Sequence, residues 1–245
     1  MSTALITGGG SGIGRATALG LARDGWGVAL AGRRVERLQA VAAEVAELGA
    51  RAVPVGCDVR DADQVQAAVA VALAELGGLD GLVHSAGVPG SGCLPHEIDE
   101  EVYAEIVDTH LGGAFRLVRT AVPAMLARGG GSVVLVSSAA ALGAMPGTAA
   151  YGAANAGLHA LARSVAVAYA EQGLRCSCVC PGLTDTPMTR HLLRDPLRRA
   201  QLARSTPLGV ATPEQIADVI TFLLGARSSH ISGAVIPVDG AYSSR

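Results

Sequence analysis

The 245-residue chain contains no lysine, so each of its 19 basic residues is an arginine. It also lacks an excess of either charge, since the formal net charge is -2. A chain without a global electrostatic field has little to attract a nucleic acid. No apolar run approaches the length of a membrane span, and the first predicted strand begins too early to leave room for a signal peptide. We therefore expect a soluble cytoplasmic protein with no nucleic-acid and no membrane partner.

The cysteines form none of the patterns that bind metals or build disulfide frameworks. Five cysteines is an odd number, and no two of them are spaced as Cys-x-x-Cys. Cys176, Cys178 and Cys180 alternate along one predicted strand, where a period of two puts them on the same face as core residues. We interpret all five as free thiols in a reducing cytosol and predict no metal site.

What the chain does contain is a regular alternation of apolar, strand-like runs and helical patterns. The runs predict strands near residues 4–7, 27–31, 52–55, 81–84, 132–137, 175–179 and 234–238. The stretches between them predict helices near residues 13–24, 35–48, 62–76, 100–127, 150–172 and 213–224. Repeated strand–helix–strand units with near-continuous apolar strands indicate a parallel sheet that is covered on both faces.

This alternation predicts an α/β, Rossmann-like, doubly wound fold with a seven-stranded parallel sheet in the order 3-2-1-4-5-6-7. Pro54 lies inside the third strand and removes one donor from its ladder, which predicts an edge position for that strand. No linker or repeat interrupts the pattern, so residues 1–245 are expected to form a single domain. Residues around 187–208 are expected to lie over the site as a substrate lid.

A glycine-rich turn, TGGGSGIG at residues 7–14, follows the first predicted strand and opens the first predicted helix. Glycines permit a tight turn and let the backbone approach a pyrophosphate at the helix N-terminus, where free N–H groups attract anions. A plain tight turn would use the same residues, but the placement favours a nucleotide. The predicted contacts from this turn are Gly8, Gly10, Ser11, Gly12, Ile13 and Gly14.

The second predicted strand ends in AGRR at residues 31–34, where an NAD site would have an acidic residue. Arg33 and Arg34 favour a 2′-phosphate, which predicts NADP(H) in preference to NAD(H). The alternative is that both arginines begin the second helix as a solvated face. Asp58, after the third strand, is able to accept a hydrogen bond from an adenine amino group or, alternatively, to cap the following turn.

The chemistry is predicted in the stretch from Ser137 to Asn155. It leaves one strand, crosses a loop and enters a helix in which Tyr151 and Asn155 lie four residues apart, on one helix face. The hydroxyl of Ser138, at the mouth of the preceding strand, is expected to reach the Tyr151 phenol. Such a pair can hold a carbonyl oxygen and give it a proton.

Together, TGGGSGIG, the interval from Ser138 to Tyr151 and Pro181-Gly182 resemble the short-chain dehydrogenase/reductase family over essentially the whole chain. VPVGCDV around Asp58, CPGLTDTPM at residues 180–188 and a final VDGA add to this resemblance. The resemblance implies NAD(P)-dependent hydride transfer and a homotetramer or homodimer built through two long helices. Besides the glycine turn and the catalytic pair, it implies cofactor contacts by Asp58, Val59, Ser85, Ala86, Gly87, Pro181, Gly182, Thr184 and Thr186, with Tyr151 and Asn155.

Three positions depart from the family pattern. Asn155 stands where the family usually has a lysine, which binds the nicotinamide ribose and lowers the pKa of the tyrosine. His110 stands where the helix asparagine is usual, and HSAG at residues 84–87 stands where NNAG is usual. Ketoreductase domains of polyketide synthases carry a similar Y-x-x-x-N pattern. His110 therefore has two interpretations: a cationic partner of Tyr151 with Asn155 as ribose anchor, or a packed side chain that donates to a backbone carbonyl.

The predicted reaction is NADPH-dependent reduction of a ketone to a secondary alcohol, with Tyr151 as proton donor. Loss of a fixed cation harms oxidation more, because oxidation needs a phenolate and reduction needs a protonated phenol. The small-molecule substrate is expected to be a polyketide-like or cyclic ketone, and the Ala-, Gly- and Arg-rich composition suggests secondary metabolism. The alternatives are a catalytically silent NADP-binding regulatory or scaffold protein, and a non-redox dehydratase or isomerase that uses Tyr151.

Overall fold

The predicted apolar runs form one parallel sheet. The computed structural model describes residues 1–195, 197, 200, 202 and 204–244. Its strands are β1 Thr3–Thr7, β2 Gly27–Gly32, β3 Ala52–Gly56, β4 Gly81–His84, β5 Gly131–Val136, β6 Leu174–Pro181 and β7 Val235–Val238. All neighbouring strands are parallel, and their order is β3-β2-β1-β4-β5-β6-β7. The predicted doubly wound fold, its strand number and its strand order are confirmed.

The proline in β3 lies at the edge of the sheet, as predicted. β3 pairs with β2 on one side, where Pro54 lies opposite Leu30, and it is the first strand in the sheet order. Its residues are half-buried to exposed, whereas all five residues of β1 are buried. An edge strand tolerates proline because only one side of it needs ladder hydrogen bonds.

Apart from the short helix Arg190–Leu193, the helices that connect the strands follow the predicted segments with one interruption. They are α1 Gly12–Arg23, α2 Val35–Glu47, α3 Ala62–Leu76, α4 Glu100–Val107, α5 Gly113–Leu126, α6 Ala149–Tyr169, α7 Arg190–Leu193 and α8 Pro213–Leu224. The single helix predicted over residues 100–127 is divided by a π-helical turn, Asp108–Gly112. Such turns insert one residue into a helix and are frequent at functional sites.

The sheet separates two hydrophobic cores. Leu5 and Ile6 are adjacent in β1 and fully buried, and they face opposite sides because side chains alternate along a strand. Leu5 packs with residues of α3, α5 and α6, and Ile6 packs with residues of α1, α2 and α8. With both faces covered, the carboxyl edge of the sheet is left for a ligand.

Side chains cap α3 and α8, whereas α1, α2, α4, α5 and α6 have no side-chain cap. Asp61 caps α3 by accepting hydrogen bonds from the backbone N–H groups of Asp63 and Gln64, and Thr212 caps α8 by accepting one from Gln215. Ser11 is the N-cap residue of α1, but its side chain makes no capping hydrogen bond. The first N–H groups of α1 are therefore open to another acceptor.

The cysteines are free thiols, and those of β6 are buried. Burial raises the pKa of the Cys176 thiol to about 12 and that of Cys180 to about 11. Thiols that stay protonated at neutral pH are poor nucleophiles and poor metal ligands. Across the described ranges, no group of three potential metal-binding side chains occurs and no helix is long and apolar enough to cross a bilayer.

The segment predicted as a lid, residues 187–208, is described in part. It contains α7, which was not predicted as a separate element, and Leu193 of α7 is buried. Leu197, in the same segment, is 79% exposed. Residues 196, 198, 199, 201 and 203 of the predicted lid lie outside the described residues.

Candidate active site

A cavity of about 420 Å³ opens at the carboxyl edge of the sheet, where the loops after the strands meet. Most of the sequence-predicted site residues lie on its wall. They are Gly8, Gly10, Ser11, Gly12, Ile13, Arg33, Arg34, Asp58, Val59, Ser85, Ala86, Gly87, His110, Ser138, Tyr151, Pro181, Gly182, Thr184 and Thr186. Gly14 and Asn155 were predicted too, but they are not among the residues that line the cavity.

Backbone packing in the glycine turn leaves no room for side chains. Gly8 has φ +67°, and a Cβ there would lie 2.6 Å from the carbonyl oxygen of Ser85. A Cβ on Gly14 would overlap the carbonyl oxygen of Gly8, so Gly14 serves the close approach of α1 to the turn from outside the cavity. The bare backbone and the uncapped N–H groups of α1 fit a dinucleotide pyrophosphate.

Thr7 holds the loop after β4 against the glycine turn, a role that the sequence analysis missed. Its Oγ1 accepts hydrogen bonds from the backbone N–H groups of Ser85 and Ala86, both at 3.2 Å. With both acceptor sites in use, the Thr7 hydroxyl donates its own proton to His84 Nδ1, 3.1 Å away. His84 is therefore the neutral tautomer with its proton on Nε2.

His84 is fully buried at the end of β4. Burial lowers the pKa of its imidazole to about 3, and the nearby His110 adds to the effect. Its Nε2 has no hydrogen-bond partner among the described residues. The side chain that replaces the usual asparagine therefore carries no charge at neutral pH.

The end of the cavity next to β2 is strongly basic. Arg33 and Arg34 lie on the wall as predicted, and Arg37 and Arg60 join them. Arg37 was missed, although the spacing of four residues from Arg33 across the start of α2 would have been a signal for it. Four guanidinium groups at one end of a nucleotide cavity fit a phosphate beyond the pyrophosphate.

Asp58 is engaged by Arg60, which the sequence analysis did not single out. Its Oδ1 accepts hydrogen bonds from the Arg60 backbone N–H and from Nε, both at 3.0 Å, and its Oδ2 lies 2.6 Å from Arg60 Nη2. Hydrogen bonding from Arg60 holds the pKa of the Asp58 carboxyl below its usual value. Asp58 therefore caps the following turn, which was one of its two predicted roles. It also lines the cavity.

Ser138 and Tyr151 meet at the other end of the cavity. Ser138 is buried, and its Oγ accepts a hydrogen bond from the backbone N–H of Ala140 at 3.2 Å. Burial raises the pKa of the Tyr151 phenol, and a hydrogen bond with Ser138 offsets part of this rise. The phenol is therefore protonated at neutral pH, in the form that can donate a proton.

Asn155 lies behind Tyr151 and off the cavity wall. Its side chain is fully buried, and Nδ2 donates to the backbone carbonyl of Tyr151 at 2.9 Å. Its Oδ1 has no partner within the described part of the chain. The amide thus faces its own helix, and the contact with a ribose stays a prediction.

His110 lies in the π-helical turn and touches Tyr151. The two rings are 5.0 Å apart in an edge-to-face arrangement. His110 Nε2 lies 2.9 Å from the carbonyl oxygen and 3.1 Å from the backbone nitrogen of Val88. Burial lowers the pKa of the imidazole, and the Val88 hydrogen bond opposes this only in part. A ring of lowered pKa that is bonded to the backbone favours the packed interpretation of His110, and the cationic interpretation stays a prediction.

A search against protein families matches residues 8–243 to the family described as Enoyl-(Acyl carrier protein) reductase. The cis-4-hydroxycyclohexanecarboxylate dehydrogenase of Sinomonas cyclohexanicum is 39% identical over 241 residues, which cover 98% of this chain and 96% of that protein. The cyclohexanol dehydrogenase of Acinetobacter sp. (strain SE19) is 34% identical, over 99% of this chain and 95% of that protein.

A solved structure is similar to this chain over its whole length. A variant of actinorhodin polyketide ketoreductase with NADPH superposes with a TM-score of 0.94 at 28% identity, covering 100% of this chain and 98% of the other. Fold and sequence likeness therefore extend over the whole chain, including both ends of the cavity.

Proposed function

The chain belongs to the short-chain dehydrogenase/reductase family, whose members are NAD(P)-dependent oxidoreductases, and we propose that it reduces a ketone to a secondary alcohol with NADPH. One observation carries the direction of the reaction. Tyr151 lies on the cavity wall as a phenol that burial keeps protonated, beside the hydroxyl of Ser138. A protonated phenol is ready to act as an acid, whereas oxidation of an alcohol would first require its ionisation.

Each end of the cavity has its own task in this proposal. The glycine turn and the first N–H groups of α1 hold the pyrophosphate, and Arg33 and Arg34, with Arg37, bind the 2′-phosphate. When bound, the cofactor supplies the hydride. Ser138 donates a hydrogen bond to the carbonyl oxygen of the substrate, and Tyr151 gives its proton to that oxygen as negative charge develops there.

We propose a cyclic ketone as the substrate. The cavity wall includes Val88, Pro89 and Met188, which offer apolar surface and no charge, and Val88 packs in one cluster with Tyr151. Two relatives are named for reactions of cyclohexane rings, and a structural neighbour is a polyketide ketoreductase. A compact ring that carries one carbonyl group suits an apolar wall with one polar pair.

The test is NADPH consumption against a panel of cyclic and aryl ketones between pH 6 and 9. Tyr151→Phe should lower kcat by about 10²- to 10⁴-fold, because the proton donor is lost, and should change the Kd for NADPH much less than it changes kcat. Tyr103→Phe, on an exposed tyrosine, is the matched control and should behave like the wild type. Reduction should be fastest at or below neutral pH, and a strongly alkaline optimum or full activity of Tyr151→Phe would contradict the proposal.

A second candidate is a silent NADP-binding protein. The chain has no amino group besides its N-terminus to replace the usual lysine, and the Asn155 amide bonds to its own helix. Under this alternative, NADPH binds tightly and no ketone of the panel is turned over. Retention of both Ser138 and Tyr151 favours the reductase, because binding alone requires neither side chain.

We also propose that the subunit contacts are made by α5 and α6. Phe115 on α5 is 53% exposed and Val167 on α6 is 83% exposed. Exposed apolar side chains on neighbouring long helices suit a homodimer or homotetramer. Sedimentation of the wild type and of Val167→Glu tests this, since a monomeric wild type would contradict it.

A further inference from the structure

A polar cluster adjoins the catalytic pair and has no part in the proposed chemistry, although one of its members, Ser137, also lines the cavity. Ser137 ends the run that precedes Ser138, Cys180 lies in β6, and His159 lies in α6, eight residues after Tyr151. All three are buried. Tyr151, Asn155 and His159 follow each other at intervals of four, so His159 continues the side of α6 that carries the phenol.

The hydrogen bonds of this cluster converge on the Ser137 hydroxyl. Ser137 Oγ lies 3.0 Å from the backbone carbonyl oxygen of Asn155 and 2.9 Å from His159 Nε2. A carbonyl oxygen only accepts, so the single hydroxyl proton goes to Asn155 and the hydroxyl accepts from His159. His159 therefore has its proton on Nε2. The sulfur of Cys180, 3.3 Å from the same nitrogen, is a second and weaker contact.

These contacts tie the end of β5 to α6 close to the reacting groups. The backbone N–H of Ser137 donates to Val179 of β6 at 2.8 Å, which fixes the main chain of Ser137. Its side chain then joins it to the carbonyl group of Asn155, one helical turn below Tyr151. Ser138 follows at once along the chain. Ser138 follows β5 and Tyr151 lies in α6. The contact of Ser137 with α6 therefore helps to set the distance between the Ser138 hydroxyl and the Tyr151 phenol.

We propose that His159 is a positioning residue for the reaction: its Nε2–H holds the Ser137 hydroxyl on the carbonyl group of Asn155 and thereby sets Ser138 against Tyr151. This inference rests on the proposed ketone reduction. His159 touches neither substrate nor cofactor in this role, and it acts through Ser137. The effect of its loss should therefore fall on kcat and not on cofactor binding.

Three variants of the full chain separate positioning from packing. His159→Leu removes the donor and keeps an apolar side chain in place. His159→Gln restores an N–H at a similar reach from the backbone. Cys180→Ala is the comparison for packing: it opens space in the same cluster and removes the sulfur contacts to Ser137 and to the Ser138 backbone, but it leaves the bond between His159 and Ser137 intact.

The first readout needs no substrate. The ¹³C resonance of the Tyr151 ζ-carbon, assigned with Tyr151→Phe, reports the hydrogen bond between the phenol and Ser138. We expect its largest shift in His159→Leu, its wild-type position in His159→Gln, and a smaller shift or none in Cys180→Ala. An unchanged resonance in His159→Leu would overturn the inference, and so would a ring ¹⁵N spectrum with the His159 proton on Nδ1.

The second readout is the split between kcat and KM for the ketone found with the panel. His159→Leu should lower kcat about tenfold, the scale of one lost hydrogen bond, with the KM for NADPH within about twofold of the wild type. His159→Gln should recover most of that loss. Equal kcat values for all three variants would refute the positioning role. If the wild type turns over no ketone, the proposed function fails, and the resonance still decides the role of His159.

His159→Leu is usable only if it folds, which circular dichroism will show. If it does not fold, Ser137→Ala removes the same link from its other end and should give the same resonance shift. A folded Ser137→Ala with the wild-type Tyr151 resonance would overturn the inference.

Discussion

The two ends of the cavity handle charge in opposite ways. At the end next to β2, the wall carries Arg33, Arg34, Arg37, Arg60 and Asp58, and every charged side chain of the described cavity lining is among these. At the end next to Tyr151, the titratable groups are buried and neutral at pH 7. Burial lowers the pKa of His110 and raises that of the phenol, and it also lowers the pKa of His84, which lies near His110 but off the cavity wall.

This difference follows from solvent access. Guanidinium groups near water keep their hydration until a phosphate replaces it, so several of them can share one small region. In a buried region a charge without a partner costs several kcal/mol, and a titratable group takes its neutral form instead. The basic end is therefore suited to binding an anion, and the neutral end to moving a proton without a fixed cation.

The largest effect should come from a positive charge placed at the neutral end of the cavity, where it would lower the pKa of the Tyr151 phenol. Asn155→Lys puts an ammonium group behind Tyr151, where a cation about 4 Å away at an effective dielectric near 20 favours the phenolate by up to about 4 kcal/mol. The pKa of the phenol should fall by about one to three units, and the pH at which the enzyme oxidises the alcohol should fall with it.

The measurement is the pH profile of alcohol oxidation. Asn155→Met, which has similar length and no charge, is the control and should leave the midpoint in place. An equal shift in both variants would show that packing, and not charge, controls the phenol.

Removing charge from the basic end should have the next largest effect. In the double variant Arg33→Ser with Arg34→Ser, the Kd for NADPH should rise about 100-fold, since each charge-assisted hydrogen bond contributes about 1.5 kcal/mol or more. The Kd for NADH should stay within about twofold, because NADH lacks the 2′-phosphate.

Calorimetric titration with both cofactors gives the ratio of the two Kd values. Arg23→Ser, an exposed arginine at the end of α1, serves as control. A parallel rise in both Kd values would place the arginines outside the 2′-phosphate site, and high salt should reduce the preference of the wild type.

The smallest expected effect is on stability and concerns His84. Its pKa of about 3 in the folded chain lies below the ordinary value near 6.5, so the unfolded chain binds the proton more readily as the pH falls. The stability that the neutral ring contributes is present above pH 6.5 and is lost as the pH decreases below it. From pH 7 to pH 5, this one group should reduce the free energy of unfolding by about 2 kcal/mol.

Urea unfolding at pH 7 and at pH 5 measures how much His84 contributes to the pH dependence of the free energy of unfolding. His84→Asn should lose about that much less stability between pH 7 and pH 5 than the wild type, whereas His230→Asn, on an exposed histidine, should retain the wild-type dependence. An unchanged pH dependence in His84→Asn would mean that the ring is protonated in the folded chain.

Much of the architecture could be predicted because it rests on local patterns. Apolar runs marked the strands within one or two residues of their observed ends, and Pro54 marked the edge strand. The break in the helix over residues 100–127 was not predicted. A π-helical turn is set by what packs around it, here by the place of His110 between Val88 and Tyr151, and its local sequence remains compatible with an ordinary helix.

The same division holds within the site. Residue types alone determined that the chain has a glycine turn at the start of α1, a basic pair after β2 and no lysine. They also determined that Ser138 and Tyr151 are spaced so that both can contact one carbonyl oxygen. These depend on backbone freedom, charge and chain order, which can be read from the sequence. Only the tertiary structure decided that Asn155 faces its own helix, that burial lowers the pKa of His110, and that His159 meets Ser137 and Cys180. The contacts of His110 and His159 depend on partners from other elements, and the local contact of Asn155 with Tyr151 depends on the burial of its side chain, which no local pattern specifies.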